Sequence, residues 1–183
     1  MEFYNSEENN RIRHVVNWIV DITVVIAFAW FIVYAYGTQI PIAGHSMTPL
    51  LQSVDVVLMD RLSYDFGKPD RFDVVVFERE DQMMKVMRVI GLPGEPVQIK
   101  GGQIYINDEL IEQPEGAGSI SLAGIAENPV KLGEDEYFLL GDNRDSSEDS
   151  RFSNVGNVSG KQIQGRVWIG IAPLANLGLI RSK

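Results

Sequence analysis

"MMKVMRVIGLPGE", residues 83–95, decides how the chain is read. Met84 to Ile90 is an unbroken run rich in Val, Ile and Met, and Gly-Leu-Pro-Gly closes it. Extended-chain formers ended by turn residues describe a strand. Runs of the same kind recur outward from it: 54–59 (VDVVLM), 72–78 (FDVVVFE), 96–100 (PVQIK), 103–107 (QIYIN), 136–140 (EYFLL) and 163–171 (IQGRVWIGI). Gly, Pro, Asp and Asn punctuate them, and no helix-length period appears after Gly37. "KGGQ" (100–103) and "INDE" (106–109) read as tight hairpin turns. The expectation is a mainly β, antiparallel domain over 37–183, with strands enough for two packed sheets. "EGAGSISLAGIAEN" (115–128) is small and polar, and reads as a surface loop.

The N-terminal part differs in kind. Val15 to Tyr36 contains one charge, Asp21, in 22 residues. At about 1.5 Å per residue a helix of that length crosses a hydrocarbon core of about 30 Å. Trp18, Tyr34 and Tyr36 lie towards its ends, as interfacial aromatics do. Arg11, Arg13 and His14 precede it, and the next Lys or Arg is Arg61. The bias of basic residues predicts a tail (1–14) in the cytoplasm, a single transmembrane helix (15–36) in the cell membrane, and an extracytoplasmic domain (37–183). A cleaved secretion signal and a buried soluble helix are the competing readings.

Composition excludes several functions. The 183 residues carry a formal charge of −9, which argues against nucleic acid as a partner. Absence of cysteine removes disulfides, thiol nucleophiles and thiolate metal sites. With only His14 and His45, a histidine metal site is not expected either.

Three stretches stand out: "GHSMTPLL" (44–51), "RVIGLPGE" (88–95) and "GDNRDSSEDSR" (141–151). Taken singly, each reads as a loop serine, a turn, and a solvated or calcium-binding loop. The last lacks the glycine of an EF-hand and has Arg144 and Arg151 intruding. In this order, and behind an apolar helix, they resemble the type I (leader) signal peptidases. The likeness runs from the helix through "IQGRVWIGIAP", and the short region between Gly94 and Lys131 is similar to the compact Gram-positive form of that family. The resemblance implies a membrane-bound serine endopeptidase of the signal peptidase fold. Its partners would be signal-peptide-bearing precursor proteins and membrane lipid, and it would use no cofactor and no metal. It also implies Ser46 as nucleophile and its backbone N–H as oxyanion donor. Ser147 would bond the catalytic lysine, and Asp142, Arg144, Asp149 and Arg151 would order the site. Ile42, Gly44 and Met47 would contact substrate. Gly44 stands where many relatives have a hydroxyl, and Leu50 where a threonine is usual.

A serine hydroxyl needs a base, and adjacent residues in extended chain point apart, so His45 does not serve Ser46. The family base is a neutral lysine, directly before the Arg-Val-Ile-Gly run. That position is Met87, and Lys85 is two residues earlier. Residues 85 and 87 share a strand face about 6.6–7 Å apart, so a long side chain or a bulge can bring the Lys85 amine to Ser46. The alternatives are that Lys85 is a surface lysine with Met87 packed in the slot, or that position 87 has been altered. Two functions follow: a peptidase with Ser46 and Lys85 as its pair, or an impaired homologue that binds exported or pilin segments and assists assembly. A soluble self-cleaving repressor would share the chemistry, but the apolar helix and the lack of a DNA-binding segment argue against it.

Overall fold

The computed structural model describes residues 3–79 and 82–180, the stretch 3–10 as backbone only. It opens with helix α1 (Phe3–Tyr36), followed by β1 (Thr38–Pro41), β2 (Val56–Asp60), the short α2 (Leu62–Phe66), β3 (Val74–Glu78) and β4 (Met84–Gly91). Next come β5 (Pro96–Lys100), β6 (Gln103–Ile106), β7 (Glu109–Leu110), β8 (Val130–Lys131) and β9 (Glu136–Leu140). The last strands are β10 (Val158–Ser159), β11 (Ile163–Ala172) and β12 (Gly178–Leu179).

Helix α1 runs without a break from Phe3, through the stretch expected as the tail, to Tyr36. Once the apolar segment is helical, each added residue gains a hydrogen bond at little entropic cost, so polar residues upstream join. Arg11–Tyr36 has a mean hydropathy of 2.2 and is long and apolar enough to cross a membrane. Its large apolar side chains are exposed, and only Ala35, near the C-terminal end, is buried. There the helix docks. The Arg61 N–H donates to the Ala35 carbonyl at 3.1 Å, the Arg61 guanidinium lies over the Tyr34 ring, and Tyr36 meets Trp168 edge-on.

The predicted antiparallel β-domain is what the chain forms. One sheet runs β1-β2-β11-β3-β4-β9-β10 with β12 beside β11, and a smaller one runs β7-β6-β5-β8. Every pairing is antiparallel. β11 is long, and register shifts against both neighbours mark bulges that bend the large sheet. Alternation on β4 covers both faces. Val86 packs with Ile42, Met47, Val57 and Val76, whereas Met87 and Val89 pack with Val75, Phe77, Tyr137 and Leu139. Ile90 continues into a third cluster with Val97, Ile104 and Phe138, joining the two sheets.

Both hairpin turns form as expected. Lys100 pairs with Gln103 across Gly101 and Gly102, and Ile106 with Glu109 across Asn107 and Asp108. All four central residues have positive φ, the conformation of a two-residue turn that follows strand twist. At Gly102 a Cβ would also stand 3.1 Å from the Ile120 carbonyl oxygen. Gly102→Val is therefore expected to cost about 1–2 kcal/mol, read as a lower urea midpoint with unchanged slope.

The stretch 115–128 departs from expectation. It buries Ile120 and Ala126 in the cluster of the small sheet and forms a 3-10 turn at Gly124–Glu127. Its glycines allow the tight path, but two apolar side chains pin it to the core.

Candidate functional site

Ser46 sits in the turn between β1 and β2. Ile42 and Met47 on either side are buried in the core with Val57 and Val76, which fixes the turn at two points. The Met47 carbonyl accepts from the Leu51 N–H at 2.9 Å, closing a helical turn just after the serine. Ser46 itself is half-buried. Its carbonyl accepts from the Asn143 N–H at 2.9 Å, so the loop 141–151 holds the serine backbone directly.

Two buried ion pairs hold that loop. Asp142 receives Nε and Nη2 of Arg88, both at 2.7 Å, and the third guanidinium nitrogen donates to the Phe72 carbonyl. Asp149 receives Nε of Arg151 at 2.8 Å and Nη2 at 2.9 Å, and it also accepts from the Gly141 N–H. Arg151 donates further to the carbonyls of Leu122 and Arg144. Charges this deep persist only when paired and hydrogen-bonded, and forked Arg–carboxylate contacts also fix geometry. Arg144 is the exception. Nη2 donates to Gln113 Oε1 at 2.9 Å, while Nε and Nη1 are buried without a partner among the described residues. Burial pushes its guanidinium down to about 10, against the opposing pull of Asp142 and Asp149.

Gly141 is where the loop touches the serine. A Cβ there would meet the Ser147 side chain and lie 2.6 Å from the Ser46 carbonyl oxygen. The Ser147 hydroxyl is buried and has no partner among the described residues. Gly141→Ala must displace Ser46 or Ser147. Displacements of about 1 Å cost roughly a hundredfold in rate, so any turnover that uses the Ser46 hydroxyl is expected to fall by about that factor with little change in KM.

On the other side of Ser46 lies β4. β9 pairs with it only from Arg88 onward, so the β4 edge over Met84 to Met87 has no strand partner on that side among the described residues. Between this edge and the end of β1 runs a cleft of about 30 Å³, lined by Ile40, Ile42, Ser46, Met47, Lys85 and Val86 among others. Ser46 and Lys85 thus share one cavity wall system. Gly44, expected beside them, is exposed at φ +86 and does not line the cleft.

The family profile described as signal peptidase, peptidase S26, matches residues 15–171. The chain belongs to that family. It is 32% identical over 168 residues to "Signal peptidase I S" of Bacillus subtilis, covering 87% of this chain and 90% of the relative. It is also 32% identical over 146 residues to "Probable signal peptidase I-2" of Synechocystis sp., covering 76% of this chain and 65% of that one. A crystal structure of a signal peptidase I from Enterococcus faecalis aligns with a TM-score of 0.44 at 28% identity, covering 55% of this chain and 97% of that one.

Within this signal peptidase family member, Met87 is 1% exposed. Its neighbours Val75, Phe77, Val89 and Leu139 are all apolar, so the thioether fills a dry slot. Lys85 is half-buried and pairs in register with Phe77. Sequence reasoning missed Arg88 as the partner of Asp142, and Gln113 as the partner of Arg144. Arg88 had one signal, a cation inside an otherwise apolar strand, while Gln113 had none.

Proposed function

We propose that this chain is a membrane-anchored serine endopeptidase that removes signal peptides from secreted precursor proteins, with Ser46 as nucleophile and Lys85 as general base. The observation that carries the reading is the shared cleft of Ser46 and Lys85 beside an unpaired strand edge. A precursor adds to that edge as an extended strand, with backbone hydrogen bonds supplying affinity. A small side chain enters the cleft. Lys85, as the free amine, takes the Ser46 proton while Oγ attacks the scissile carbonyl. The Ser46 N–H stabilises the oxyanion, and the ammonium then protonates the departing amine. Water releases the acyl group by the same route. Arg88–Asp142 and Asp149–Arg151 hold the loop that positions the serine, and Arg144 and Ser147 belong to it. Helix α1 lies across the membrane with Arg11, Arg13 and His14 on the cytoplasmic side, which keeps Ser46 near the lipid surface.

The test is cleavage of a precursor carrying Ala one and three residues before the cut, by the full chain in detergent. N-terminal sequencing of the product should place a single cut there. A cleft of about 30 Å³ rejects a ring, so Phe at the first position is expected to lower kcat/KM by at least about 100-fold. Cleavage indifferent to that residue would defeat the reading.

One observation favours a second reading, an impaired homologue that binds exported or pilin segments. Met87 is sealed in an apolar slot and the Ser147 hydroxyl lacks a partner among the described residues, which is what remains when a lysine is replaced by a residue of similar shape. On that reading the parent is inert and Met87→Lys creates cleavage. On the first, the parent cuts and Met87→Lys brings no gain, because a second amine adds nothing to a served hydroxyl.

A further inference from the structure

Asp21 is the one charge between Val15 and Tyr36, and it is exposed on α1 well inside the apolar span. The helix offers it no counter-ion. The nearest basic residues, Arg13 and His14, stand eight and seven residues back, about 12 and 10 Å along the axis, and the next Lys or Arg after it is Arg61. A carboxylate at such depth is costly in lipid and is found facing a partner. Trp18, Asp21, Ile22, Val25 and Ile26 line a shallow hollow of about 290 Å³ on one side of the helix. Trp18 and Tyr36 are 18 residues apart, about five turns, so the same side continues up to Tyr36, where the helix meets Trp168 of the β-domain. β1 starts two residues later and leads to the cleft of Ser46, which Ile40, Pro41 and Ile42 line. The hollow, the docked end of α1 and the cleft are therefore consecutive along one path.

We propose that this side of α1 is the docking surface for the apolar core of the precursor's signal peptide, and that Asp21 pairs with the Lys or Arg that precedes that core. The inference rests on the reading of the chain as a signal peptidase with its β-domain outside the membrane, and extends it to the part of the substrate inside the membrane. Signal peptides carry a basic segment, then an apolar core of about 7–15 residues, then the cut. A precursor cut on the outer side has its basic segment on the inner side, so it runs in the same direction as α1. Ile22 to Tyr36 is 15 residues without a charge, about 22 Å of helix. A long helical core with its outer end beside Tyr36 brings its basic flank level with Asp21, and the reach of a Lys or Arg stem makes up the difference for a shorter one. The hydrocarbon layer is about 30 Å thick, so such a core draws its basic flank inside the layer, where that cation needs a counter-ion. From Tyr36 onward the four residues of β1 span about 13 Å towards the cleft, so roughly four extended residues of precursor connect the core to the cut. A second copy of α1 laid on the same side in the same direction would set Asp21 against Asp21, like charges in apolar surroundings, which disfavours it as the occupant.

The experiment uses the full chain in phosphatidylcholine vesicles, whose surface offers the basic segment no net charge. The sequence has no cysteine, so single cysteines report contacts without interference. In a Ser46→Ala background, Val25→Cys places a thiol in the hollow, and Ala27→Cys places one on the opposite side of the helix at nearly the same depth. With an uncut precursor carrying one cysteine in its apolar core, oxidation is expected to form the mixed disulfide at least about tenfold faster with Val25→Cys than with Ala27→Cys. In cleavage by the chain with Ser46 intact, Asp21→Lys is expected to raise KM about tenfold with kcat unchanged, and exchanging the precursor's basic residue for Glu is expected to reverse that loss. A change that only disturbed the helix would not be reversed by the substrate. Equal disulfide rates for the two variants, with normal cleavage by the parent, overturn the docking side and leave the peptidase reading standing. A KM for Asp21→Lys that ignores the precursor's charge overturns the pairing in the same way. Disulfides formed chiefly between two copies of the Val25→Cys chain assign the surface to a second copy and overturn the proposal. Preferred cross-linking of Val25→Cys without cleavage by the parent keeps the docking side and sinks the peptidase reading, and absence of both overturns the two together.

Discussion

Ser46→Ala and Lys85→Ala are each expected to lower precursor cleavage by about 10⁴-fold or more, and the double variant to be no worse than either alone. On the proposed mechanism the pair acts as one unit. Alanine at 46 leaves the amine with no hydroxyl to deprotonate, and alanine at 85 leaves a hydroxyl that is a poor nucleophile at neutral pH. An exposed lysine is charged there, and neutralising it costs roughly 4–5 kcal/mol, so the cleft must make proton transfer feasible. Neither change disturbs the fold. Ser46 is held through its backbone carbonyl, and Lys85 is only half-buried. Binding of an uncut precursor should therefore persist in both variants, measured as an unchanged Kd for a fluorescently labelled precursor. Full activity in Lys85→Ala would end the pairing. A Lys85→Ala protein rescued by Met87→Lys would show that either position on that strand face can serve the serine.

What the sequence disclosed, and what it hid, follows from the range over which residues act. Strand runs such as 74–78 and 84–90 announce themselves through local composition, and the Gly-Gly and Asn-Asp turns through their tolerance of positive φ. β1 escaped notice because it is four residues long, ends in Pro41, and is a strand chiefly by pairing with β2. Residues 115–128 looked like a surface loop because small polar residues outnumber Ile120, yet one buried isoleucine is enough to fix a path. At the site, the loop 141–151 was legible as a motif, but its counter-ions were not. Arg88 is 54 positions from Asp142, and no local pattern links them. The same limit applies to Met87. Period-two alternation places it opposite Val86, but only the packing reveals that its side holds Phe77, Leu139 and Val75.

The largest stability effect is expected at that distant pair. Arg88→Ala leaves the Asp142 carboxylate 3% exposed with its two guanidinium donors gone. Removing one partner of a buried ion pair costs about 3–5 kcal/mol, because the remaining charge is stranded rather than because the pair was strongly favourable. Two consequences separate this account from loss of packing alone. Asp142→Asn in the Arg88→Ala background removes the stranded charge, so the double variant is expected to be more stable than Arg88→Ala, not less. The urea midpoint of each variant reads this directly. Activity should follow a different order. Asp142 neighbours Asn143, whose N–H holds the Ser46 carbonyl, so recovering stability by deleting the charge does not restore the loop's placement. The double variant is thus expected to fold better than Arg88→Ala while cleaving no faster. A double variant less stable than Arg88→Ala would mean that packing of the arginine stem, and not the pairing of its charge, holds the site loop against β4.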